Sequence, residues 1–72
     1  MLTLPDRLKE LRKSQNVTQV NVAKPLGCSE QYYQKIEYGK IKPAYDKVMQ
    51  LADFFDVSMD YLVGRTNNPK RY

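Results

Sequence analysis

Two helix-start residues, Thr18 and Ser29, stand eleven positions apart with Gly27 between them, and this spacing leaves room only for two short helices joined by a very tight turn. A Thr or Ser hydroxyl accepts a hydrogen bond from an otherwise orphaned N–H of the first helical turn. Thr18 therefore opens a helix at Gln19, with Val22, Ala23 and Leu26 as its apolar stripe and Gly27 as its stop. Ser29 opens the next, from Glu30 to about Tyr38, and Gly39 ends it. Only Gly27 and Cys28 are left for the turn, and the small Ala23 suits a close crossing of the two helices. Pro25 removes a hydrogen bond to the carbonyl of Asn21 and disfavours a helical Lys24, which predicts a short or distorted last turn. Tyr33 on the inner face of the later helix predicts a wider separation of the pair than an aliphatic residue would give.

The flanking segments are helical too. Leu4, Leu8 and Leu11 recur at helical spacing, and Pro5 and Asp6 suit a first turn, predicting a helix from about Pro5 to Ser14. Asn16 in the following turn tolerates the left-handed conformation of a helix stop. Val48, Leu51, Ala52 and Phe55 mark a fourth helix, Ser58 caps a fifth, and Val57, Met59, Leu62 and Val63 are expected to close the core. The fold class is all-α, a compact five-helix bundle. Its expected boundaries are residues 1–64, with a short, basic, exposed C-terminal tail at 65–72.

Composition narrows the function. At 72 residues the chain is one small domain with little stability to spare. It has no histidine and a single cysteine, Cys28, so an intramolecular disulfide and a Cys-rich or His-based metal site are excluded. No catalytic constellation and no phosphate-binding loop is present, so neither an enzyme nor a cofactor is expected. The N-terminus lacks a signal-peptide pattern and the apolar runs are too short to span a membrane, which points to a cytoplasmic protein. Charge is unevenly placed. Residues 1–42 carry a net +4, residues 43–64 a net −3 and residues 65–72 a net +3. The first half could meet a polyanion; the second could not.

The run Thr18-Gln19-x-x-x-Ala23-x-x-x-Gly27-x-Ser29, followed by Lys35-Ile36-Glu37-x-Gly39-Lys40-x-Lys42-Pro43, resembles the phage-repressor/Cro helix-turn-helix family. So does the later run Leu51-Ala52-x-x-Phe55-x-Val57-Ser58-x-Asp60-x-Leu62. The resemblance covers roughly residues 4–64. It implies sequence-specific binding of duplex DNA, with the helix after Ser29 in the major groove, about 12 Å wide.

Family positions then fall on particular residues. Glu30, Gln31, Gln34 and Lys35 match the base-reading positions: Gln31 could pair with adenine, Lys35 with guanine O6/N7 and Glu30 with cytosine N4. Gln19, Ser29, Tyr32, Tyr38, Lys40 and Lys42 match positions against the sugar-phosphate backbone. Several residues have a plainer alternative: Gln31 and Gln34 as solvated helix residues, Glu30 as a favourable charge at a helix N-terminus, Tyr32 as cover for the core edge, Cys28 as a small buried hydrophobe, the tail cations as solvated charges. Glu30 should repel phosphate unless it pairs with a base or with Lys35. Arg12 and Glu37 match a structural ion pair joining the first helix to the recognition helix. A second copy of the chain is the expected partner, with Phe54, Met59 and Tyr61 as a self-complementary patch. Repression through a palindromic operator is the leading reading. An antitoxin of the same fold, binding a toxin and its own promoter, and a protein-interaction module without DNA binding are the alternatives.

Overall fold

A computed structural model describes residues 3–71 as five helices, α1 (Leu4–Gln15), α2 (Gln19–Leu26), α3 (Glu30–Glu37), α4 (Tyr45–Phe55) and α5 (Met59–Leu62). Met1, Leu2 and Tyr72, which the expected boundaries include, lie outside the described residues. The bundle has α2 packed on α3 and α4, α1 on α3 and α5, and α4 on α5.

Local chemistry sets most of these ends. Thr18 accepts from the N–H of Asn21, Ser29 from that of Tyr32 and Ser58 from that of Tyr61. Asn16, at φ 57°, stops α1, and Asp56, at φ 58°, stops α4 in the same left-handed way. Gly27 has φ 68°, and a Cβ there would meet nothing within 4 Å, so the glycine is required by backbone conformation and not by space. The first helix starts at Leu4, one residue before Pro5. Thr3 donates both its N–H and its hydroxyl to Asp6 Oδ2, at 3.2 and 3.0 Å. Those bonds, backbone first, hold the Asp6 carboxyl below its usual range.

Two expectations are corrected. Helix α2 runs through Pro25 to Leu26 without a break. The proline sits in the final turn, where it deprives only the Asn21 carbonyl of a donor, and Asn21 is exposed to water. Val63 does not close the core: it is 39% exposed. Helix α5 is a single turn ending at Leu62, so Val63 becomes its cap, on the rim of an apolar recess with Leu4, Pro5, Ile41 and Val48. The segment after Gly64 is exposed, as expected, and is held by contacts to the rest of the chain. Arg71 pairs with Asp53 at 2.5 Å and lies 3.6 Å from Asp56, and the Pro69 carbonyl accepts from the N–H of Ser58 at 3.0 Å. The net positive tail folds back onto the net negative α4–α5 region because opposite charges stand there.

The core is Leu8, Leu11, Val22, Ala23, Leu26, Tyr33, Ile36, Val48, Leu51, Ala52, Phe55, Val57 and Leu62. Two cross-links are polar. Lys47 donates to the Leu26 carbonyl at 2.8 Å, placing a cation at the negative end of α2, and Gln15 donates to the Phe55 carbonyl at 3.1 Å. Arg7 is buried, and among the described residues no carboxylate is in contact with it. Its guanidinium lies 4.0 Å from the centre of the Tyr61 ring and donates to Asn67 Oδ1 at 2.7 Å.

The strongest cross-link is between α1 and α3. Arg12 Nη2 and Nε reach Glu37 Oε1 and Oε2 at 2.9 and 3.0 Å, a two-pronged contact in which the Glu37 side chain is 1% exposed. Burial alone would raise the Glu37 pKa; the bonds and charge of Arg12, with Tyr33 and Gln19, together outweigh it, and the net shift is downward from the ordinary 4.5. A carboxylate whose folded pKa is depressed stabilises the fold above its ordinary value, and that contribution is lost as pH falls through the folded value. Thermal or denaturant melts of the parent and of Glu37→Gln check this. Near neutral pH the variant should be less stable by up to about 3 kcal/mol. The gap should hold down to about pH 5 and close progressively below it.

Candidate nucleic-acid interface

The residues that could meet a nucleic acid are set by how α3 leans on its neighbours. Tyr33 and Ile36 are fully buried and Glu37 nearly so, which turns the opposite side of α3 outward. On that side Gln31 and Lys35 are exposed and Glu30 and Gln34 are half-buried at its edge. Positions 30, 31, 34 and 35 repeat at helical spacing, so the four side chains share one face. The chain leaves α3 without a gap: the Lys40 N–H donates to the Lys35 carbonyl at 2.8 Å, and Gly39 turns at φ 75°. Lys40 and Lys42 then follow, both exposed, as cations beside the end of that face.

Helix α2 meets this face at its N-terminus through a chain of polar contacts. Gln19 Nε2 donates to Glu37 Oε1 at 3.4 Å, and Gln19 Oε1 accepts from Gln34 Nε2 at 3.1 Å. Gln34 Nε2 also approaches Glu30 Oε2, at 3.5 Å. Glu30 is thus matched with Gln34, not with Lys35, and its charge faces an amide donor. The buried Arg12–Glu37 pair is in this way connected to the outward face of α3.

The remaining residues of the expected site are placed as follows. Ser29 is exposed and its hydroxyl caps α3. Tyr32 is half-buried against the core edge, and Tyr38, 55% exposed, stands at the far end of α3. Lys9, which sequence reasoning did not single out, lies 6.0 Å from the Tyr38 ring centre and adds a cation to that end. Helical spacing within α1 gave no hint of it, because the neighbour is on another helix. Tyr33 fits fully buried, and burial pushes its phenol up, with the Glu37 charge adding to the effect. Its hydroxyl makes no hydrogen bond of good geometry, although it faces that carboxylate. The Phe54, Met59 and Tyr61 side chains are all half-buried. Phe54 packs edge-on against Phe55 at 4.9 Å, while the Tyr61 ring lies against Arg7.

The arrangement offers a convex helix with hydrogen-bonding side chains on one face and cations at one end. Among the described residues no cluster of His, Cys, Asp or Glu could hold a metal ion, and no helix is long and apolar enough to cross a membrane.

The chain matches the helix-turn-helix family over residues 8–62, a span running from within α1 to the end of α5. It is 38% identical over 63 residues to the HTH-type transcriptional regulator YobD of Bacillus subtilis, covering 88% of this chain and 56% of that protein. It is 34% identical over 64 residues to the cryptic phage CTXphi transcriptional repressor RstR of Vibrio cholerae, covering 89% of this chain and 57% of the repressor. The chain therefore spans a little over half the length of these relatives. The fold is also that of the phage P22 c2 repressor, solved in complex with a synthetic operator. The TM-score is 0.81 at 22% identity, over 88% of this chain and 96% of that one. With its helix pair, its outward α3 face and these relatives, the chain belongs to the phage-repressor/Cro-type helix-turn-helix family of DNA-binding transcriptional regulators.

Proposed function

We propose that this chain represses transcription by reading a palindromic operator in duplex DNA as a two-fold dimer, with α3 in the major groove. The observation that carries the reading is the α3 face: Gln31 and Lys35 exposed side by side, running directly into Lys40 and Lys42. Gln31 and Lys35 read base edges, together with Gln34 and Glu30. Lys40, Lys42, Ser29, Tyr32, Tyr38 and the N-terminus of α2 at Gln19 hold the sugar-phosphate strands. No catalytic step and no cofactor enters this function. Similarity to the repressor RstR favours repression over the antitoxin alternative, which shares the DNA contacts and adds a toxin partner.

One α3 presents too little surface for a tight specific site, and a dimer reading half-sites roughly 34–36 Å apart supplies a second. The α4–α5 end is the side available for self-association, since α2 and α3 face DNA. Phe54 and Met59 keep part of their surface open there. Tyr61, already packed on Arg7, contributes by holding α5 in place as much as by touching a partner.

Binding sites selected from random duplexes provide the assay. Gln31→Ala and Lys35→Ala should each relax preference at defined base pairs and cost about 1–3 kcal/mol. Lys40→Ala and Lys42→Ala should weaken every sequence alike and flatten the salt dependence. An unchanged site and affinity for Gln31→Ala would remove α3 from the groove.

Sedimentation tests the dimer. Phe54→Lys should weaken self-association and full-site binding while sparing an isolated half-site. Tyr61→Lys, which sets a second cation against Arg7, should lower the melting temperature and weaken both sites together. Equal losses on half and full sites for Phe54→Lys would assign that residue to the fold alone.

A further inference from the structure

The amide of Gln34 is the least free polar group on the α3 face. A glutamine amide has two N–H donors and one carbonyl acceptor, and in solution it can present either side to a ligand. Here the NH2 group of Gln34 points at two oxygens, Gln19 Oε1 at 3.1 Å and Glu30 Oε2 at 3.5 Å. Among the described residues no donor reaches Gln34 Oε1.

Inverting this amide is unfavourable at both of its contacts. An inverted Gln34 would set its oxygen against the Gln19 oxygen and the Glu30 carboxylate. Inverting Gln19 as well would relieve the first clash by turning the Gln19 oxygen onto Glu37 Oε1, which the Gln19 NH2 group now faces at 3.4 Å. Glu37 cannot yield, because its own carboxylate is buried and held by Arg12 at 2.9 Å. Two anions, one at each end of the chain of contacts, therefore fix the polarity of the amide between them.

We propose that Gln34 is a specificity-determining residue that meets DNA only as a hydrogen-bond acceptor, with its polarity imposed by Glu37 through Gln19 and by Glu30. In the major groove the base-edge donors are the exocyclic amino groups, N4 of cytosine and N6 of adenine. Gln34 takes one of these with Oε1. It does not form the two-bond pairing with adenine, which needs an N–H directed at N7, and it does not approach guanine, whose major-groove edge offers acceptors only. Gln31, exposed and without such partners among the described residues, remains free to present either side. This inference rests on the placement of α3 in the major groove proposed above.

Functional-group substitution in a selected operator duplex tests it. Each adenine of the half-site is replaced in turn by purine, which lacks the amino group, or by 7-deazaadenine, which lacks N7. Each cytosine is replaced by pyrimidin-2-one, which lacks the amino group, and each guanine by 7-deazaguanine, which lacks N7. Affinities are measured for the parent and for Gln34→Ala, Gln31→Ala and Lys35→Ala, with thermal melts to verify folding. At one position, loss of the amino group should weaken the parent about fivefold, the size of one hydrogen bond, and should not weaken Gln34→Ala further. If that base is adenine, 7-deazaadenine there should bind the parent and Gln34→Ala with the same ratio as adenine does. Replacing both partners, Gln19→Ala with Glu30→Ala, should free the amide and bring in dependence on a purine N7 at that position. Coupling of Gln34 to a purine N7 or to guanine in the parent overturns the acceptor assignment while leaving α3 in the groove. Coupling of Gln31 and Lys35 to bases, with none for Gln34, removes Gln34 from base reading. Absence of coupling for all three defeats the groove placement itself.

Discussion

A carboxylate that is 1% exposed constrains this small domain more than any apolar contact does. Glu37 closes α3, and a charge so placed must be met by other charges and donors or the helix cannot seat. Arg12 meets it from α1 with two nitrogens, and Gln19 meets it from α2. Three helices thus converge on one side chain at the place where hydrophobic packing alone would leave their mutual rotation loosely specified. The rotation of α3 about its own axis decides which side chains look outward. The buried charge and the outward face are therefore parts of one device, joined through the amides of Gln19 and Gln34.

Charge is sorted on the rest of the molecule so that the outward face acts alone. The acidic α4–α5 region would contribute an opposing field, but Arg71 lies against Asp53 and Asp56 and offsets part of it. The tail cations are not all equivalent to the lysines of the loop after α3. Arg71 is occupied within the molecule, so releasing it to a polyanion would leave two carboxylates without their cation. On the proposed placement of α3, counterion release on binding DNA would belong mainly to Lys40, Lys42, Lys35 and the neighbouring Lys9.

What could be read from the sequence was what is decided within a few residues. The caps Thr18, Ser29 and Ser58, the stops Asn16 and Gly27, and the periodic core of α1, α2 and α4 all depend on spacing along one helix. The Arg12–Glu37 contact was accessible only through resemblance, since nothing local brings residues 25 positions apart together. Pro25 misled because the usual cost of an interior proline was assigned to a last turn, where one exposed carbonyl bears it. Val63 misled because an apolar residue after Leu62 continues a pattern that a one-turn helix does not have room to complete. The seating of Arg7 on Tyr61, of Lys47 on α2 and of the tail on Ser58 arises from tertiary proximity, and no periodicity announces it.

Arg7 has a consequence for the way the domain comes apart. Its guanidinium grips Thr66 and Asn67, at sequence separations of 59 and 60 residues, so the opening helix and the closing segment are clasped to each other. A small helical bundle ordinarily frays from its ends, each end opening at little cost and independently of the other. With this clasp, neither the first turns of α1 nor the segment after α5 can peel away without uncovering a buried cation and the ring beneath it. The loop it closes spans most of the chain, which is costly to bring together early and rewarded only once the core exists. The two ends should accordingly order late and together during folding. In amide exchange they should behave as one cooperative unit, not as two frayed termini.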